Sequence, residues 1–336
     1  MQDFYCGFTS HLAGADPVSS QTHFDLASLT KILATTTLAM VKREQGQLDL
    51  DETLSELLPE ECKGNSSLAE ITVRSLLSHS SGMPAWLPFY EKLIQRFGRQ
   101  LPAISLSERK NFFDRELYAV KCIPAQAGTV VYSDLGFLIL ERVLSSNFER
   151  DVEKIWKQIN GLQFHYRPVV SDAVSSRLAV KAHHESVAMT ELCPWRGLLQ
   201  GQVHDDNTWS RGGVAGHAGV FGRLEDVKLW IASIFSLAIV NETTLREFTS
   251  ENTLAKGPRK ALGFDLPSSD GSGSTGLFFS KNSVGHLGFT GTSLWVDLDS
   301  GVYAVLLTNR VHPNRHDVRI RALRREFHQR VRGELT

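Results

Sequence analysis

The chain is poor in the residues that would announce several common functions. It has four cysteines in 336 residues, Cys6, Cys62, Cys122 and Cys193. They are far apart and form no C-x-x-C pair, which argues against a thiol-redox centre or a zinc ribbon. Scattered cysteines of this kind fit reduced, buried thiols in a cytosolic protein. Charge of one sign is lacking: 36 Lys and Arg face 37 Asp and Glu, a formal net charge of -1. No global field therefore favours nucleic acid or an anionic membrane. The local exception is the Arg-rich tail from Arg315 to Arg332, where Val318, Leu323, Phe327 and Val331 recur at roughly helical spacing. This pattern predicts a terminal helix with one face packed on the body. Long apolar runs are also missing. The most apolar stretch, Leu229 to Val240, contains Ser233 and Ser236 and is too short to span a bilayer. Met1-Gln2-Asp3 lacks the basic start of a secretory signal. The expected location is cytoplasmic, or periplasmic if the numbering begins at a processed end. Possible metal ligands occur at His183-His184 and His204-Asp205-Asp206, but without H-E-x-x-H or another strong spacing.

What is present is enough apolar sequence, 42% of residues, to bury a substantial core. Phe4 to Thr9 reads as a short strand, and Ser28 to about Gln45 as a helix stopped by Gly46. Thr72 to His79 reads as a short apolar segment ending at Ser81-Gly82-Met83-Pro84, and the pattern stays mostly helical to about Arg150. Glu225 to Val240 reads as another helix. Ser293 to Asp297 and Val302 to Asn309 are β-rich runs around Asp299-Ser300-Gly301, a hairpin signal. Sheet-forming runs at both ends with helices between predict an α/β fold. The expected division is an α/β sheet domain from residues 1–62 and 205–336, with a helical insertion at 63–204.

The most informative segment is Ser28-Leu29-Thr30-Lys31. It places a hydroxyl and an amine one helical turn apart on one face, and a serine needs such a base to attack a carbonyl at neutral pH. The spacing alone is common, and Ser107-Glu108-Arg109-Lys110 repeats it in a polar stretch that reads as solvated surface. Three further segments add weight. Tyr132-Ser133-Asp134 precedes a helical run, and a phenol with a lowered pKa can shuttle protons. His286-Leu287-Gly288-Phe289-Thr290-Gly291-Thr292 leads into a strand whose edge could offer a backbone N–H to an oxyanion. Gly212 to Gly219 is rich in small residues and reads as a tight loop. Each alone has a bland structural reading. Gly271-Ser272-Gly273-Ser274-Thr275-Gly276 matches G-x-G-x-x-G, but Pro267-Ser268-Ser269-Asp270 precedes it and the stretch reads as a loop.

In this order the segments resemble the penicillin-recognising serine hydrolases, the branch holding class C β-lactamases, serine D-alanyl-D-alanine carboxypeptidases and related (family VIII-like) esterases. The resemblance runs from about Phe24 to His312. It implies the β-lactamase/transpeptidase-like fold, an antiparallel β-sheet flanked by helices with an inserted helical domain. It also implies Ser28 as acylated nucleophile, Lys31 as its base or relay, and Tyr132 as general base or acid. The backbone N–H groups of Ser28 and Phe289 would form the oxyanion hole. Asp134, His286, Gly288 and Thr290 would contact substrate. Asp134 stands where the family commonly has Asn. Ionised, it can only accept hydrogen bonds, and it could hold Lys31 charged. His286 replaces a frequent Lys, and Leu287 replaces a hydroxyl residue. Both changes weaken recognition of a substrate carboxylate.

The expected function is a serine hydrolase acting through a Ser28 acyl-enzyme on an ester, a D-amino-acid peptide or amide, or a β-lactam. The partner is then a small-molecule or peptide substrate, with no nucleic acid, membrane span, metal or organic cofactor needed. Oligomeric state is not legible. The competing reading is a catalytically weak binding or sensor protein for a peptidoglycan-like ligand.

Overall fold

A computed structural model describes residues 2–99, 101–169 and 186–333. The strands are short: β1 (Phe24–Asp25), β2 (His165–Tyr166), β3 (Leu192–Cys193), β4 (Gly197–Leu198), β5 (Val220–Gly222), β6 (Ser283–Leu287), β7 (Ser293–Asp297) and β8 (Tyr303–Leu306). They form two three-stranded antiparallel sheets, β1-β5-β2 and β6-β7-β8, and the β3-β4 hairpin. Phe4 to Thr9 is not a strand. It makes one isolated bridge, Phe8 to Pro17, and Phe4 and Phe8 are exposed. Its aromatic alternation has no described strand to pair with.

The segment after β1 is helical but irregular. Ala27–Leu29 is a 3-10 turn, Lys31–Thr36 a π-helical stretch and Thr37–Glu44 regular α-helix. Ile32, Leu33, Ala34, Leu38 and Met40 are all buried, as expected of a helix enclosed on all sides. Thr35 donates its hydroxyl to the Gly216 carbonyl at 2.5 Å, so the widened turn is tied to the small-residue loop. Two buried indoles lock this helix: Trp156 donates to the Leu33 carbonyl at 3.0 Å, and Trp230 to the Thr37 hydroxyl at 3.1 Å. Lys42 and Arg43 occupy the last turn, where the helix dipole favours cations. Gly46 follows with φ +69°, the left-handed stop that glycine supplies at low cost.

Around it pack Val73–Leu77, started by a Thr72/Ser75 capping box, Asp134–Leu144, Phe148–Trp156 and Leu224–Phe235. The β7-β8 hairpin turns at Gly301 with φ +71°. The terminal helix Ile320–Gly333 covers part of the second sheet through Phe327 and Val331, which join Phe279, Trp295, Ala304 and Leu287. Its buried stripe also contains Ile320, Arg324 and His328, whereas Val318 and Leu323 are exposed. The predicted face holds at Phe327 and Val331 and fails at Leu323 and at Val318, which precedes the helix. Cys193 is buried, but Cys6 is exposed, so not all thiols are sequestered. No helix among the described residues is long and apolar enough to cross a membrane.

Candidate active site

The backbone before Ser28 is strained. Ala27 has φ +48°, a left-handed conformation costly for a residue with a Cβ. Asp25 holds it there: one carboxylate oxygen accepts the Ala27 N–H at 2.8 Å, and the other accepts the His204 N–H at 2.6 Å. Burial pushes the Asp25 carboxyl pKa up, and these two bonds oppose the rise. The turn presents Ser28 half-buried at the start of the central helix.

Lys31 is fully buried and aims its ammonium nitrogen at three oxygens. These are Ser28 Oγ at 3.1 Å, Asp134 Oδ1 at 2.6 Å and the His217 carbonyl at 3.2 Å. Burial lowers the Lys31 pKa, while Asp134 resists by stabilising the charged form. The same ammonium lies 4.9 Å from the centroid of the Tyr132 ring, which brings the phenol beside the pair. Burial, reinforced by Asp134, drives the phenol pKa well above its ordinary value. Tyr132 is thus a neutral hydroxyl at neutral pH, which corrects the expectation of a phenol with a lowered pKa. The 79–85 loop braces it: the Ser133 N–H donates to His79 Nδ1 at 3.1 Å, Ser133 Oγ to the Pro84 carbonyl at 2.7 Å, and the Asp134 N–H to the Ala85 carbonyl at 2.9 Å.

His286 faces Tyr132 from β6, with ring centroids 5.8 Å apart. Its Nδ1 meets the Leu287 carbonyl at 2.9 Å, and burial lowers its pKa to about 4. The imidazole is therefore neutral at pH 7 and supplies no cation. A cation comes instead from Lys260, whose ammonium lies 5.4 Å from the Tyr132 ring centroid and is paired with Asp265. Asp265 in turn pairs its backbone with Gly285 on β6. Neither residue belongs to a motif, and the sequence carries no signal that points to them. Leu287 points away from His286 and packs against the terminal helix.

Gly288 is required by space. A Cβ there would lie 1.9 Å from Thr292 Oγ1 and 2.8 Å from the Leu26 carbonyl. Thr290 is buried, and its hydroxyl donates to the Asp25 carbonyl at 2.7 Å. The hydroxyl proton is thereby committed to the nucleophile's strand. Thr292 makes the equivalent bond to the Leu26 carbonyl at 3.1 Å. The Phe289 N–H has no acceptor among the described residues. Its side chain is 49% exposed and lies under the Arg310 guanidinium, 4.4 Å from the ring centroid. Trp86, one residue beyond the Ala85 carbonyl that receives the Asp134 N–H, is 43% exposed.

His204, Asp205 and Asp206 do not converge. His204 is bonded to Glu191 at 3.0 Å, Asp205 to His217 at 3.1 Å, and Asp206 to Arg315 at 3.2 Å. His183 and His184 lie outside the described residues. Ser107 is exposed on its own helix. The structure thus brings Ser28, Lys31, Tyr132, Asp134 and His286 into one cluster, with the Gly288–Thr292 turn tied to its edge.

The β-lactamase family profile matches residues 3–329. An N-acetylmuramyl-L-alanine amidase of Bacillus subtilis (strain 168) is 28% identical over 324 residues, covering 88% of this chain and 69% of that protein. A putative D-alanyl-D-alanine carboxypeptidase of Salmonella enteritidis PT4 is 26% identical, covering 89% and 72%. Among solved structures, a penicillin binding protein from Bacillus halodurans superposes with TM-score 0.64 at 18% identity, covering 90% of this chain and 85% of that one. Unliganded simvastatin synthase from Aspergillus terreus gives TM-score 0.64 at 18% identity, covering 98% and 88%. Those two share the fold. The profile match over nearly the whole length settles the relationship: the chain belongs to the β-lactamase family of serine hydrolases.

Proposed function

We propose that the protein cleaves an amide or ester bond through an acyl-enzyme on Ser28, with small peptide amides and esters of the peptidoglycan type as substrates in preference to β-lactams. The observation that carries this reading is the 3.1 Å contact between buried Lys31 and Ser28 Oγ, with the Tyr132 ring 4.9 Å from the same ammonium. When Lys31 is deprotonated, its lone pair takes the Ser28 proton as Oγ bonds to the carbonyl carbon. The π electrons move onto the carbonyl oxygen, which the Ser28 and Phe289 N–H groups receive. Collapse expels the amine or alcohol, which takes a proton relayed by the neutral Tyr132 hydroxyl. Water then attacks the ester on Ser28 by the same route in reverse. The names of the amidase and carboxypeptidase relatives support the substrate class. The Asp134 carboxylate and the neutral His286 favour amides and esters that carry no carboxylate beside the scissile bond, unlike a β-lactam. In the test, Ser28→Ala removes p-nitrophenyl ester and peptide-amide hydrolysis. Unchanged turnover in that variant overturns the mechanism.

The 2.6 Å Lys31–Asp134 pair favours a second reading, a protein that binds such ligands and turns them over poorly, because a proton held by Asp134 leaves Lys31 a weak base. Tight ligand binding without acylation of Ser28 selects it.

A further inference from the structure

Arg324 is a buried arginine without a carboxylate partner among the described residues. Only 8% of it is exposed. Its Nη2 donates to the Gly288 carbonyl at 2.5 Å and to the Thr292 carbonyl at 2.7 Å. Both acceptors belong to the turn that carries Phe289. A buried guanidinium is costly, and a surface helix has no need of one in its packed stripe. Two neutral carbonyls do not repay a full charge as a carboxylate would.

The geometry assigns Arg324 a positioning role: it fixes the plane of the Gly288–Phe289 peptide so that the Phe289 N–H faces the reacting carbonyl oxygen. In a trans peptide the C=O and N–H point in opposite directions. Arg324 grips the Gly288 oxygen from the terminal-helix side of the turn. The N–H of the same plane must then point away from that helix. On the other side the turn abuts Leu26, shown by the Thr292 bond to the Leu26 carbonyl and by the 2.8 Å clearance a Cβ on Gly288 would leave there. The Phe289 N–H, on the plane that Arg324 grips, is accordingly left open. The Gly288 N–H donates to the Thr292 carbonyl at 2.7 Å, and the Gly291 N–H to the Gly288 carbonyl at 3.1 Å. Arg310 holds the next plane, with Nε 2.8 Å from the Phe289 carbonyl. Without Arg324 the Gly288 plane has no cation to set it, and glycine offers no Cβ to resist a flip. The terminal helix, far from Ser28 in sequence, thereby acts on the oxyanion hole.

This inference rests on the acyl-enzyme reading above, and the experiment separates the two. Arg324→Met and Arg324→Lys are compared with the wild type on an ester and its thionoester. Sulfur accepts hydrogen bonds poorly, so an oriented oxyanion hole favours the oxygen substrate. The ratio of the two rates does not depend on how much of a variant folds. Arg324→Met is expected to lower kcat for the ester roughly 100-fold, the scale of losing one oxyanion donor. KM should stay within about threefold, and the oxygen-to-sulfur ratio should fall at least about tenfold. Arg324→Lys, which keeps a charged donor, should recover much of both. A wild type without oxygen preference overturns the oxyanion hole and this inference together. A wild type with the preference and an Arg324→Met variant that retains it overturn the role of Arg324 alone.

Discussion

Replacing Asp134 by Asn tests the electrostatics of the site most sharply. The Asp134 carboxylate is 2.6 Å from the Lys31 ammonium, with side chains 19% and 0% exposed. At an effective dielectric of about 20, Coulomb attraction at that distance is about 6 kcal/mol before either group's desolvation. Opposite charges in contact move a pKa by roughly 1–3 pH units. Asn keeps the shape and an acceptor oxygen but removes the charge. Burial already lowers the Lys31 pKa against Asp134, so the variant should carry Lys31 down by a further ~1–3 pH units. A buried amine that loses its counter-charge gives up its proton rather than stay charged. At a pH below the Lys31 pKa, lowering that pKa by about one raises the deprotonated fraction about tenfold, and weaker basicity returns about half of that on a logarithmic scale. The predicted gain in kcat/KM at pH 7 is roughly 3- to 30-fold, with the acid limb displaced downward by the same ~1–3 pH units. The assay is a pH–rate profile of kcat/KM with a p-nitrophenyl ester. An unmoved limb, or lower activity at every pH in a folded variant, refutes deprotonated Lys31 as the base.

Other outcomes follow from the same contacts. Thr290→Val, which removes the bond to the Asp25 carbonyl, should lower kcat about tenfold and leave KM nearly unchanged. Thr290→Ser should restore the rate, and a Val variant with wild-type kcat would show that the bond positions nothing. Gly288→Ala brings a Cβ to 1.9 Å from Thr292 Oγ1, so steady-state kinetics should show a kcat/KM loss of roughly 100-fold. Wild-type kinetics would mean that the turn can give way. Stability should fall as pH drops from about 6.5 to about 4, because burial holds His286 and His328 at about 4. The unfolded chain binds those protons near pH 6.5 and the folded one does not, so each costs up to about 3 kcal/mol by the acid end. Urea midpoints across that window measure the slope, and a flat profile contradicts it. Ser107→Ala should leave turnover unchanged, since Ser107 is exposed and its helix lies outside the cluster.

The legible parts of the sequence are those with local causes. The hairpin at Asp299-Ser300-Gly301, the stop at Gly46 and the start of the helix after Ser133 each rest on residues within a few positions of the feature. The ordered Ser28, Tyr132 and His286 segments likewise point to side chains that form one cluster. Phe4 to Thr9 misleads because β-propensity needs a partner strand, and the segment finds a single bridge. The tail misleads in part because two polar residues, Arg324 and His328, are buried beside Phe327 and Val331, whereas Leu323 is exposed. The Tyr132 phenol is not acidic, because burial and the Asp134 charge raise its pKa. The Thr290 bond is not legible because its partner is 265 residues away. Lys260, Asp265 and Arg324 are silent for the same reason: their roles depend on contacts that no spacing encodes.

The central claim is a covalent intermediate on Ser28. Intact mass after brief mixing with a fluorophosphonate or a slowly released ester, followed by peptide mapping, tests it directly. The account predicts one adduct per chain, on the peptide carrying Ser28, absent in Ser28→Ala and slowed in Lys31→Met. An adduct mapping to any other residue, or turnover with no adduct in the wild type and no loss in Ser28→Ala, would contradict it.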